Sequence, residues 1–177
     1  MKLFEKTISK DYKYNGRIIN LRVDDVKLEN GKTAIREVVE HNGGVCVAAL
    51  DENGCLLMVK QFRYPYGEVL LEIPAGKLEK GENPEQCGKR ELEEETGYIP
   101  EKLTDLGKLY PTPAYLTEII HMYYAENLIK TAQNLDEDEF LSVERVPFSD
   151  AVQMVLNGEI RDAKTQVAIL KLKELLK

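Results

Sequence analysis

Residues 76–98 read GKLEKGENPEQCGKRELEEETGY. Asn83 can accept the free N–H groups of a helix start, Pro84 suits the first helical position, and Gln86 stands three residues beyond the cap. Gly97 offers a left-handed stop. A helix is therefore expected between them, entered through glycine-containing turns at Gly76 and Gly81. On that helix Glu91, Glu94 and Glu95 fall at i, i+3 and i+4, so their side chains share one face within about one turn. Like charges at this spacing cost a bare helix a few tenths of a kcal/mol per pair, and Glu93 adds further negative charge nearby. A solvated acidic face beside Lys89 and Arg90 is one account of the cluster. A divalent cation is the other. Grouped carboxylates with water suit Mg²⁺ or Mn²⁺, and the lack of a His/Cys ligand set disfavours zinc.

Working outward, Leu21 to Leu28 alternates in polarity, Asn30-Gly31 punctuates it, and Thr33 to Glu40 carries β-branched residues. This pattern predicts a hairpin with a type I′ turn. A second hairpin is expected from Val45–Leu50 and Cys55–Phe62 around Asp51-Glu52-Asn53-Gly54, followed by a short strand from Val69 to Ile73 that Pro74 ends. Beyond the helix, strands are expected near Leu103–Tyr110, Glu118–Ala125 and Phe140–Val146. Ser149 and Asp162 are the expected caps of two closing helices, the last burying Ala168, Leu172, Leu175 and Leu176. Strands, helix, strands, helices is an α+β order, or a mixed sheet with helices on both sides. An N-terminal antiparallel β subdomain is expected over residues 1–42, and the main domain over 43–177.

The chain has 177 residues, 31 acidic against 24 basic, for a net charge of −7. Its length favours one domain with a small subdomain, and it can bury a core without disulfides. An acidic surface repels a polynucleotide, so no nucleic-acid partner is expected. A small phosphate compound is different, because cations held by carboxylates can reverse the local sign. Cys46, Cys55 and Cys87 form no CxxC pair, which fits thiols in a reducing compartment. His41 and His121 lie far apart and read as structural. MKLFEKTISK lacks an apolar signal core, and no run approaches about 18 apolar residues, so a cytoplasmic protein without a membrane partner is expected.

Gly76, five residues, Glu82, seven residues, Arg90-Glu91-Leu92, one residue, Glu94-Glu95, one residue, Gly97-Tyr98: this resembles the complete Nudix box. The resemblance implies a Nudix fold, an α/β/α sandwich around a mixed sheet that agrees with the element order above, and metal-dependent hydrolysis of a nucleoside diphosphate linked to another moiety. By position, Glu91 and Glu95 would be the main metal ligands, and Glu94 a supporting ligand or the group that orients water at the metal. Arg90 would pair with a box carboxylate, Glu82 being the candidate, while Gly76 and Gly97 would serve backbone geometry.

The flanks resemble the ADP-ribose pyrophosphatase branch. Ile73-Pro74-Ala75-Gly76 is similar to that branch's entry to the box, where the carbonyl in the place of Ala75 binds metal. Gln61-Phe62-Arg63-Tyr64 resembles the strand whose arginine meets the diphosphate, and Arg36-Glu37 a pair near the adenine. Pro113, 16 residues beyond Gly97, matches a proline of the branch and is a candidate substrate contact or loop-shaping residue. Leu135-Asp136-Glu137-Asp138-Glu139-Phe140 resembles the acidic loop that delivers the base and another ligand, here with Glu137 favoured as base and Glu139 as ligand. Asp162-Ala163-Lys164-Thr165 also looks like this branch. One departure is visible: Thr112-Pro113-Ala114-Tyr115-Leu116-Thr117-Glu118 stands where the usual wording is close to Ser-Pro-Gly-Phe-Ser-Asp-Glu. That bears on the shape of the substrate pocket and leaves the metal site untouched. The implied reaction is Mg²⁺-dependent cleavage of ADP-ribose to AMP and ribose 5-phosphate, in a homodimer that uses the N-terminal sheet. Another nucleotide sugar or dinucleotide, or a silent nucleotide sensor, are the competing readings.

Overall fold

Gly44–Leu50, strand β4, is the segment around which the larger part of the chain is organised. In a computed structural model, which describes residues 3–137 and 139–177, its side chains are buried on both faces. Val45, Val47 and Ala49 join one apolar cluster with Leu57, Cys87, Leu92 and Ala125. Cys46 and Ala48 join the other with Met58, Ile73, Met122, Ala168, Ile169 and Leu172. A strand apolar on both faces requires cover on both. One cover is helix α1, Pro84–Thr96; the other is α2, Phe148–Leu156, with α3, Ala163–Leu175. The expected α/β/α sandwich is present.

The sheet between them has β10 (Leu141–Pro147), β5 (Cys55–Arg63), β4, β9 (Ile120–Lys130) and β8 (Tyr98–Leu109) side by side in that order. β6, Glu68–Glu72, pairs with β5, and β7, Ala75–Lys77, pairs with β4. β4 and β9 run parallel and the remaining pairs antiparallel, so the sheet is mixed. The β4–β5 connection is tied down by Asp51, whose Oδ1 accepts the Asn53 and Cys55 N–H groups, each at 2.9 Å.

The chain divides into two compact units, Gly44–Leu109 with Ile120–Lys177, and Met1–Gly43 with Tyr110–Ile119. The latter holds an antiparallel sheet of β1 (Lys6–Asn15), β2 (Ile19–Lys27) and β3 (Thr33–His41) in that order. Val39 of β3 donates to the Tyr115 carbonyl at 2.8 Å and accepts the Thr117 N–H at 2.9 Å, which ties the 110–119 segment to the sheet.

Local readings need correction in three places. The β2–β3 turn is not type I′, because Gly31 (φ 81°) has positive φ and Asn30 does not. The Gly31 N–H donates instead to Leu28, so the left-handed residue follows the turn rather than sitting at its centre. Ser149 is not a cap: α2 starts at Phe148, and the Ser149 hydroxyl meets Asp150. On α3 the buried stripe is Thr165, Ala168, Ile169 and Leu172, while Leu175 and Leu176 at its C-terminal end are exposed.

Candidate active site

Helix α1 begins as the sequence predicts. Asn83 Oδ1 accepts the N–H groups of Glu85 at 2.9 Å and Gln86 at 3.2 Å, and Pro84 needs no partner there. It stops at Gly97 (φ 72°), whose N–H meets the Glu93 carbonyl at 2.8 Å. Past β9 the chain returns to this helix end: Thr131 N–H donates to Gly97 at 2.7 Å, Gln133 Nε2 to the Glu95 carbonyl at 2.5 Å, and Asn134 N–H to the Glu94 carbonyl at 3.0 Å. Free carbonyls of the last helical turn thus hold the strap that leads into the acidic segment with Glu137 and Glu139. Asp138 lies outside the described residues.

Arg90 gathers the box carboxylates. It donates to Glu82 through Nε at 3.1 Å and Nη2 at 3.3 Å, and to Glu94 through Nη1 at 2.7 Å, with Glu91 Oε1 at 3.0 Å. Glu82 is partly buried, which alone would raise its pKa, yet Arg90 and the Glu79 N–H hold it below the ordinary carboxylate range. The loop before the helix is thereby fastened to the helix by a planar two-point contact that Lys could not make.

Glu91 and Glu95 are placed differently. Glu95 is 1% exposed, and its Oε2 accepts the Ala75 N–H at 3.0 Å. The Glu91 carboxyl lies over Gly76, where a Cβ would fall 1.8 Å from its Cδ; only glycine leaves that space. Burial is the main reason their pKa values rise, to about 7 for Glu91 and about 8 for Glu95. Glu139 raises both further, with Glu94 acting on Glu91 and Glu91 on Glu95. Glu139 is itself pushed up by burial and by Asp136, although Gln61 Nε2 donates to it at 3.3 Å. Arg90 acts on Glu91 but is shared with Glu82 and Glu94.

A surplus of half-buried and buried carboxylate oxygen on one side of the sheet end is the donor chemistry of a hard divalent cation, so these residues fit Mg²⁺ or Mn²⁺. Among the described residues no three such groups are already drawn into a closed cage.

Arg63, at the end of β5, is about one-third exposed and makes a two-point contact with Glu72 of β6: Nε to Oε1 and Nη2 to Oε2, each at 2.7 Å. Glu72 is buried, which would raise its pKa, but Arg63 and Lys164 hold it low. Glu72 had a legible signal, a lone charge at a buried position of the apolar run before Pro74. Its partner Lys164 stands in the Asp162-Ala163-Lys164-Thr165 stretch that resembles the branch, but their pairing across 92 residues has no local signal.

Ala75, Gly76, Glu82, Arg90, Glu91, Glu94, Glu95, Gly97, Arg63, Glu137 and Glu139 all belong to the larger unit. Arg36, Glu37 and Pro113 belong to the other. There Arg36 pairs with Glu5 at 2.5 and 2.9 Å, and Glu37 and Pro113 are exposed.

Residues 40–167 match the NUDIX domain family, and residues 5–39 match the nucleoside diphosphate sugar hydrolase N-terminal domain. The chain is 49% identical to an ADP-ribose pyrophosphatase of Bacillus subtilis, over 98% of this chain and 96% of that protein. It is 45% identical to a methanol dehydrogenase activator of Bacillus methanolicus, over 99% and 98%. A GDP-mannose pyrophosphatase of Yersinia enterocolitica is 36% identical, over 77% and 78%. The fold matches a crystal structure of an ADP compounds hydrolase with a TM-score of 0.87 at 21% identity, over 99% of this chain and 96% of that one. With the box helix, its arginine clasp and the sheet that carries them in place, the chain belongs to the Nudix family of hydrolases.

Proposed function

We propose that this chain hydrolyses the diphosphate of ADP-ribose to AMP and ribose 5-phosphate with Mg²⁺, Mn²⁺ being the alternative ion. The observation that carries this reading is the pair Glu91 and Glu95, a half-buried and a buried carboxyl of which the first only shares Arg90 with Glu82 and Glu94, in a Nudix chain so similar to an ADP-ribose pyrophosphatase. Glu91, Glu95, Glu139 and the Ala75 carbonyl would hold the ions. Bound there, they would neutralise the diphosphate and acidify the attacking water.

Glu137, exposed on the turn of the acidic segment, takes the proton from that water. Glu94, held by Arg90, orients the water or assists as a ligand. Arg63 keeps a fixed positive charge, and Glu72 leaves three of its five N–H donors free for phosphate oxygens. Arg36, Glu37 and Pro113 serve the rest of the substrate. Residues 1–42 form a subdomain that pairs two copies into a homodimer. Exposed Ile8, Tyr14, Ile18 and Ile35 supply apolar surface for that contact. Free Cys46, Cys55 and Cys87 suit a cytoplasmic location, and no described helix is long and apolar enough to cross a membrane.

The similarity to GDP-mannose pyrophosphatases favours one competing reading, another nucleoside diphosphate sugar. Steady-state assays with Mg²⁺ on ADP-ribose, GDP-mannose, other nucleotide sugars and dinucleotides decide between them. ADP-ribose is expected to give the highest kcat/KM, with AMP and ribose 5-phosphate released. A higher value for GDP-mannose would reassign the substrate, and absence of turnover on the whole panel would point to a sensor.

A further inference from the structure

Behind Arg63 lies a buried charge relay that the box does not contain. Glu72 accepts Arg63 through both oxygens at 2.7 Å, and Glu72 Oε2 also accepts Lys164 Nζ. Lys164 pairs in addition with Asp162 Oδ1 at 3.0 Å. Asp162 Oδ2 caps α3 by accepting the Thr165 N–H at 2.9 Å and the Thr165 hydroxyl at 2.6 Å. Thr165 Oγ1 accepts the Ile73 N–H at 3.0 Å, and Ile73 leads through Pro74 to Ala75, whose N–H holds Glu95. One continuous set of contacts therefore runs from α3 to Arg63 on one side and to the Ala75–Glu95 pair on the other.

Lys164 is an odd choice for the fold alone. It is the second residue of α3, where a cation opposes the helix dipole. Its side chain is only 12% exposed, which lysine tolerates only when paired. What it does supply is balance: Arg63 and Lys164 match Glu72 and Asp162 in charge. Without it the two acids would leave Arg63 as the cluster's only cation, drawn inward and electrostatically spent on its own neighbours.

We propose that Lys164 is a positioning residue for diphosphate binding: by sharing Glu72, it sets the plane of the Arg63 guanidinium and keeps the charge of its open edge available to the substrate. This rests on the reading of Arg63 as the diphosphate contact. The test compares wild type with Lys164→Met, Lys164→Arg, Arg63→Met and the Arg63→Met/Lys164→Met pair, by steady-state kinetics with Mg²⁺ on whichever nucleoside diphosphate derivative wild type turns over, together with melting curves. Lys164→Met is expected to raise KM about tenfold, with a smaller change in kcat, and Lys164→Arg to recover most of it. In the Arg63→Met background, Lys164→Met is expected to change KM by less than about twofold, because its partner is already gone.

An unchanged KM in Lys164→Met, a loss confined to melting temperature, or the same factor in both backgrounds would each overturn the proposal. If Lys164→Met does not fold, Lys164→Gln carries the same expectation, and failure of both to fold makes the residue structural only. Arg63→Met with wild-type kinetics overturns the reading of Arg63 itself. A crippled Arg63→Met beside a normal Lys164→Met overturns only the relay.

Discussion

The Ala75 N–H donates to Glu95 Oε2 at 3.0 Å, joining the strand that enters the box to the last turn of its helix. One backbone donor cannot hold a carboxylate ionised when it is 1% exposed with Glu91 and Glu139 acting on it. Glu95→Gln should therefore lower turnover by two or more orders of magnitude while the circular dichroism spectrum and the Ala75 contact survive, since Gln retains an acceptor oxygen. A variant with full activity would remove Glu95 from the metal site.

The same burial makes a pH signature. Glu91 and Glu95 titrate near 7 and 8 in the folded metal-free chain, against 4.5 for an ordinary glutamate. Between about pH 5 and about pH 8 the folded state thus binds more protons than the unfolded one, and stability falls as pH rises. In chelator, Glu95→Gln should gain on wild type in melting temperature across that window, and Mg²⁺ should restore wild type most strongly at its upper end. Parallel melting curves for the two proteins at every pH would contradict the buried-charge account.

At Gly76 a Cβ would occupy the place of the Glu91 carboxyl, 1.8 Å from its Cδ. The clash is with the far end of a side chain, so Gly76→Ala should fold with little loss of melting temperature. The displaced carboxyl should weaken Mn²⁺ binding about tenfold or more, read by titration of the ion's paramagnetic signal, with activity falling in parallel.

Gly97 differs because both its φ of 72° and its surroundings exclude a side chain: a Cβ would lie 2.9 Å from the Gln133 nitrogen. Gly97→Ala should cost about 1–2 kcal/mol or more in denaturant unfolding. It should also lower kcat, because the 131–134 strap it pushes against leads to Glu137 and Glu139. Unchanged stability would mean that the strap is free to move away.

The helix was legible because its signals are local. Asn83-Pro84 and Gly97 mark its ends, and the 3.6-residue period alone puts Glu91, Glu94 and Glu95 on one face. β4 was legible as an apolar run. β1 was less so: Ile8, Tyr12 and Tyr14 share one parity, but the strand is exposed along its length and interrupted by charges, and its pairing comes from β2. The position before Gly31 misled because Asn-Gly fits a type I′ turn, with both residues left-handed, as well as a turn that Gly31 closes as its single left-handed residue.

The sequence by itself determined the box, its spacing and the identity of the residues that fit a divalent cation, because a helix converts spacing directly into a shared face. Only the tertiary structure decided what holds that face in place. The Arg63–Glu72–Lys164 contacts and the strap from Thr131 to Asn134 join residues from 9 to 92 positions apart in the chain. Such contacts have no period and no local spacing. They exist because the sheet order brings β5, β6 and the start of α3 together, and burial then obliges each charge to find a partner.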